Sequence, residues 1–294
     1  MCVIASEGGR EVLLDYLNKM RLPNSLIASP LWRRIHNFYT YWADPTSLLY
    51  ESVSFIWFEF DLDAQSMKAH VPSFFISLED RHLPDFSIPS HRHDIPERYK
   101  AVEMVLKVFL NRPVSSRLQR NLSACFERLP AKAGLPQVGV MLSRQSDAVR
   151  VAVDMPEDRI LEYLTGIGWT GQMSSVEEIL STFYPCCIGK VLVSFNVADV
   201  VLPNIGVEFG FGTLSQIEPK LLSFLDSLVE RGLCTLEKHD ALLSWPGFSW
   251  EMYPGDSWPT KLWRSLSHVK ISHQPGSPLM AKAYLWFSPR FALF

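Results

Sequence analysis

The sequence predicts an α+β fold in which repeated ββαα units form an antiparallel β-barrel surrounded by helices. Three observations carry this expectation. Four pairs of short segments rich in β-branched and aromatic residues recur along the chain, pairs of helical patterns separate them, and no segment carries the heavy charge that protects an exposed strand edge. The 294 residues hold 28 Lys and Arg against 31 Asp and Glu. A net charge of −3 gives no broad attraction to phosphate backbones or anionic lipid, so neither nucleic acid nor membrane is an expected partner. The length suits a single domain with a sizeable core, residues 1–50 supplying N-terminal helices and residues 51–294 the barrel.

Along the chain, Val12, Leu13, Tyr16 and Leu17, then Leu31, Ile35, Phe38 and Trp42, have helical spacing, with Pro23 and Pro30 as punctuation. Residues 52–61 (SVSFIWFEFD) and 73–78 (SFFISL) read as the first strand pair. A loop dense in Pro, His and Asp follows over 81–96, and helical patterns at 97–110 and 114–129 are parted by Pro113. The order then repeats: strands at 137–143 and 148–154, helices at 157–167 and 175–183, strands at 190–197 and 205–211, helices at 218–231 and 236–243. Gly232 stands as a cap between those last helices. Strands at 268–273 and 281–287, joined by Pro-Gly-Ser-Pro, close the series. The segment from Trp245 to Trp258 reads as a loop able either to cap the barrel mouth and touch an acceptor or simply to pack over the helices.

Strand side chains alternate between faces, so each strand divides into an apolar set for the helices and a remainder for the other side. Val149, Val151 and Val153 leave Arg150; Val191, Val193, Phe195 and Val197 leave Lys190, Ser194 and Asn196; Ile205, Val207 and Phe209 leave Glu208. Val269 and Ile271 leave His268, Lys270 and Ser272, while Ala281, Ala283, Leu285 and Phe287 leave Lys282, Tyr284 and Trp286. In the first pair the remainder holds Trp57 and Glu59, with Phe75 across from them. On an open sheet with one solvated face these cations would be ordinary surface residues. The aromatic company of Trp57, Phe75, Tyr284 and Trp286 points instead to a lumen. Cations converging there call for an anion, and a diphosphate would satisfy them. Aromatic faces could shield an allylic cation, and Glu59 or Glu208 could take the proton lost on alkylation.

The ββαα order, with inward cations in RVAV (Arg150), KVLVS (Lys190), HVKIS (Lys270) and AKAYL (Lys282, Tyr284), resembles the aromatic prenyltransferases of the ABBA fold. That group includes the indole prenyltransferases and, at similar length, the cyanobactin-type peptide prenyltransferases. The resemblance covers 52–287 and implies a barrel that holds an allyl diphosphate, dimethylallyl or geranyl, on Lys, Arg and Tyr side chains. Lys282-Ala-Tyr284 matches the family's recurring Lys-x-Tyr pattern, and Glu59 matches its early-strand glutamate, which binds an indole N–H and assists deprotonation. It also implies a small aromatic or peptide acceptor and a role in natural-product biosynthesis. The family has five strand pairs where the sequence shows four. No DDxxD box is present, Asp61-Leu-Asp63 being too little, so no cofactor is required and Mg2+ enters only as a companion of the diphosphate.

Other chemistry is weaker. Cys2, Cys125, Cys186, Cys187 and Cys234 lack CxxC spacing and read as buried small hydrophobes of a reduced, cytoplasmic protein. His70, His82, His91 and His93 would suit a metal-dependent hydrolase, though surface histidines of a Pro-rich loop are the plainer reading. A non-catalytic accessory protein that binds a ligand or peptide in the same lumen is the remaining alternative.

Overall fold

A computed structural model describes residues 2–6, 9–11, 14–15, 30–59, 73–78, 95–110, 113–142, 148–187, 189–211, 214–252 and 258–290. The strands are β1 (Cys2–Ser6), β2 (Phe55–Glu59), β3 (Ser73–Ser77), β4 (Gln137–Val140), β5 (Val149–Met155), β6 (Val191–Val197), β7 (Val201–Gly210), β8 (Gly247–Glu251), β9 (Thr260–His273) and β10 (Met280–Arg290). The helices are α1 (Pro30–Ala43), α2 (Leu48–Ser52), α3 (Ile95–Leu110), α4 (Ser116–Glu127), α5 (Ile160–Gly166), α6 (Met173–Phe183), α7 (Leu214–Glu230) and α8 (Leu236–Ser244). The expected ββαα order is therefore present, with helix pairs between successive hairpins. Chain contacts gather into two compact units, with β6 and β7 each contributing residues to both.

In the first unit the hydrogen-bonded order is β1-β2-β3-β4-β5, followed by the second half of β6, all antiparallel where the register is defined. Parity does what the sequence suggested. Ile56 and Phe58 lie opposite Ile76 and Phe74, which lie opposite Val138 and Val140, and these opposite Val151 and Val149. Every one of these residues is buried. Helix α1 covers them because Ile35, Phe38, Tyr39 and Trp42 fall on one helical stripe. Phe38 meets Phe74 at 4.5 Å and Tyr39 stacks on Phe58 at 5.9 Å, while Phe109 of α3 reaches Phe74 at 4.4 Å. Ser115 caps α4 by accepting from Leu118 N–H. Strand β3 is buried on both faces: Ser73, Phe75 and Ser77, on the side away from the helices, are as hidden as Phe74 and Ile76.

In the second unit the first half of β6 is followed by β7, β9 and β10. Phe209 of β7 packs against Phe183 of α6 and Phe224 of α7 at 6.0 and 5.6 Å. Strand β9 is twice as long as expected because it serves two neighbours along one edge. Its His268–His273 half pairs with β7 and its Thr260–Arg264 half with β8, while β10 runs along the other edge. Between Tyr284 and Leu285 the register shifts, His268 facing Tyr284 and Leu266 facing Leu285. Ser267 is the extra residue of this bulge.

Closure of the barrel is not found among the described residues. The strand path has two ends, β1 and β10, with no ladder joining them. Strand β10 shows why. Lys282, Ala283, Leu285 and Trp286 are all exposed, so neither face is fully covered. Pro289, which cannot donate to a ladder, and the bulge opposite mark it as an end strand. Two strands also stand where the sequence showed none. Strand β1 precedes the first helices, and β8 occupies part of the Trp245–Trp258 segment read as loop. Of the expected helix at 12–17 only Leu14 and Asp15 are among the described residues, and both are helical.

Candidate functional site

Two groups of side chains occupy the sheet face turned away from the helices, one in each unit. In the first, Trp57 stands opposite Phe75, Phe75 opposite Gly139, and Gly139 opposite Arg150. The Trp57 and Phe75 rings stack at 5.6 Å and 5°. Phe75 lies flat across β4 because Gly139 has no side chain: a Cβ there would sit 2.3 Å from the Phe75 ring. Arg150 is half-buried and its Nε donates to Asn196 Oδ1 at 2.8 Å. Glu59 is half-buried at the end of β2, registered between Cys2 and Ser73. Trp57, Phe75, Arg150 and Glu59 are thus brought to one face.

The second group is more tightly bonded. Lys270 of β9 is buried, and its Nζ donates to Glu208 Oε1 at 2.8 Å and to Ser194 Oγ at 2.7 Å. Gly206 makes this possible, since a Cβ there would meet Lys270 Cε at 2.2 Å and Ser194 Oγ at 2.8 Å. His268 places Nε2 3.1 Å from Glu208 Oε2 and Nδ1 3.0 Å from Ser267 Oγ, and its ring stacks on Tyr284 at 4.3 Å. Burial by itself would push the Glu208 carboxyl up, but the Lys270 ammonium and the His268 hydrogen bond outweigh it and hold the group down at about 2. Glu208 is therefore a fixed anion at neutral pH and a poor acceptor of a proton. Lys270 neutralises it and is engaged, so its role as a diphosphate ligand is weakened by its own neighbour.

The remaining expected residues lie in looser surroundings. Lys190 immediately precedes β6 and is half-buried; Lys282 is exposed on β10 directly across from Lys270; Trp286 is 40% exposed. Beyond the bulge, Lys261 lies over the rings of Phe248 at 3.9 Å and Trp263 at 4.5 Å, an aromatic and cationic cluster joined to β8. Sequence parity exposed His268 as a member of the face but gave it no role, and Ser267 escaped notice. The adjoining Ser-His pair was the available signal.

Burial pushes the Cys125 and Cys187 thiols up to about 12, which suits packing rather than nucleophilic attack. Among the described residues no group of three His, Cys, Asp or Glu side chains is placed to hold a metal ion, and no helix is long and apolar enough to cross a membrane. The histidine-rich loop with His70, His82, His91 and His93 lies outside the described residues. A groove of about 300 Å3 beside Pro113 and Ser115 in the first unit involves none of the expected site residues. No known family model, curated protein or solved structure matches the chain.

Proposed function

We propose that this protein transfers a prenyl group from an allyl diphosphate to an aromatic or heteroatom acceptor, using an ABBA-like arrangement of strands. One observation carries the reading. Part of the face away from the helices is kept from water: Ser73, Phe75 and Ser77 in one unit, and Ser194 and Lys270 in the other, are buried there. In the second unit a cationic group kept from water on a strand face, with Tyr284 stacked on His268 beside it, suits a ligand that is anionic at one end and apolar at the other. In this proposal Lys190 and Lys282 of the second unit hold the diphosphate, with Tyr284 as an additional donor, and preorganised charge at the leaving group is the main source of rate. Trp286 lines the same strand beside the allylic carbon, while Trp57, Phe75 and Glu59 are the first unit's candidates for the aromatic and acceptor-binding roles. Lys270 keeps Glu208 ionised in place of binding the donor.

Calorimetric titration of the protein with dimethylallyl diphosphate, geranyl diphosphate and inorganic pyrophosphate tests the reading. The expected result is binding at least tenfold tighter for the prenylated ligands than for pyrophosphate. Equal affinities would remove the apolar half of the site, and no binding with or without Mg2+ would return the lysines to ordinary surface residues. Tight binding without turnover against a broad acceptor panel would make the chain an accessory binding protein.

A further inference from the structure

We propose that Ser267, His268, Glu208 and Lys270 form a proton relay in which His268 Nδ1 is the base, receiving through Ser267 the proton that the acceptor loses. The inference rests on the transfer reading above and assigns that reaction's proton to a group outside the carboxylates. Each link follows from the geometry. An ionised carboxylate only accepts hydrogen bonds, so at the 3.1 Å contact His268 Nε2–H donates to Glu208 Oε2. In the neutral imidazole that fixes the tautomer and leaves the lone pair on Nδ1, which then accepts from the Ser267 hydroxyl at 3.0 Å. Lys270, donating to Glu208 Oε1 at 2.8 Å, holds the carboxylate in position and ionised. The Tyr284 ring lies against the imidazole at 4.3 Å and 21°, where its face favours a cationic partner. The groups facing His268 are thus Glu208 from β7, Tyr284 from β10, and Ser267 with Lys270 from β9 itself; Lys282 on β10 is across from Lys270 rather than from His268.

The bulge gives this arrangement its outlet. Ser267 is the unpaired residue of β9 and is exposed, while His268 is largely covered. In the proposed step the acceptor's N–H or O–H lies against Ser267 Oγ. As the acceptor heteroatom or ring carbon bonds the allylic carbon, the carbon–oxygen bond to diphosphate breaks and its electron pair leaves with the diphosphate. The acceptor's proton passes to Ser267 Oγ while the Ser267 proton passes to His268 Nδ1. The imidazolium then returns its proton to water through the same serine. Glu208 and Lys270 act here as positioning residues.

Nitrogen-15 NMR of the imidazole, together with pH–rate profiles of transfer, tests the relay on the full chain. The expected spectrum of the wild type shows His268 as the Nε2–H tautomer, and Glu208→Gln shifts it toward a mixture of tautomers. Transfer by His268→Gln falls at least a hundredfold with donor affinity unchanged, and the acid limb of its pH–rate profile disappears; Ser267→Ala falls about tenfold and keeps the limb. An Nδ1–H tautomer in the wild type, or an unchanged acid limb in His268→Gln, overturns the proposal. A wild type that binds no prenyl diphosphate and transfers nothing refutes the transfer reading, and the tautomer measurement still decides the relay itself.

Discussion

At the scale of single residues, the Glu208–Lys270 pair shows how a buried charge is tolerated. Lys270 lies over Gly206, between Ser194 and Glu208, so each of its contacts depends on a neighbour too small or too acidic to be replaced freely. Replacing Glu208 by Gln takes this carboxylate from a buried ammonium, and the expected loss is about 2 kcal/mol of stability at neutral pH, since the amide oxygen and Ser194 still accept. A lower urea midpoint with an unchanged slope is the check. The pH dependence has a definite sign. Because the folded carboxyl is held at about 2 against an ordinary value of 4.5, its contribution is full above 4.5 and is lost as pH falls toward 2. Glu208→Gln should therefore lose less stability than the wild type across that window. Equal losses in both proteins would mean that the carboxylate is not held by its partners.

At the scale of elements, the Ser267 bulge decides which side chains of β9 share a face. Without it, strict alternation would place Trp263 and Lys261 on the face opposite His268. With it, Ser265 comes opposite Trp286 and Trp263 opposite Ser288, continuing the face of Tyr284 along β10. The same bulge explains why β9 was half hidden in the sequence. Residues 268–273 alternate cleanly and were legible as a strand, whereas 260–266 lie one step out of phase with them. Strand β8 was obscured differently, because Phe248 and Trp250 are exposed and bounded by Pro246 and Gly247, which reads as a turn. Deleting Ser267 should force β9 either to lose its pairing with β8 or to turn Trp263 away from Phe248, from which it now lies 5.5 Å. The expected outcome is a changed tryptophan emission spectrum and a markedly lower thermal midpoint. An unaltered spectrum and midpoint would show that the bulge sets no register.

At the scale of the molecule, the helix-facing half of the fold was legible because apolar periodicity encodes it directly: Ile56, Phe58, Val149, Val151 and Phe209 all landed in the core. The other half was legible only as a set of residues. Parity could assign Arg150, Glu208, Lys270 and Tyr284 to one face, but it could not show that Glu208 consumes Lys270, because pairing across strands depends on register and on the missing side chain at Gly206. Whether the sheet closes depended on the end strands, and β10 carries its edge protection as a proline, a bulge and exposed faces rather than as a run of charge. This distribution separates stability from binding in the cations that remain. Lys282 is exposed and stands opposite another lysine, so it contributes little to the folded state and is costly only in like-charge repulsion. Lys282→Ala should leave the thermal midpoint unchanged or slightly raised while weakening dimethylallyl diphosphate binding about tenfold. Lys190→Ala should weaken binding to a similar degree in a protein that stays folded. Because the chain as a whole is net negative, any attraction for a diphosphate must come from such local cations, and affinity that survives both substitutions would remove them from the donor site.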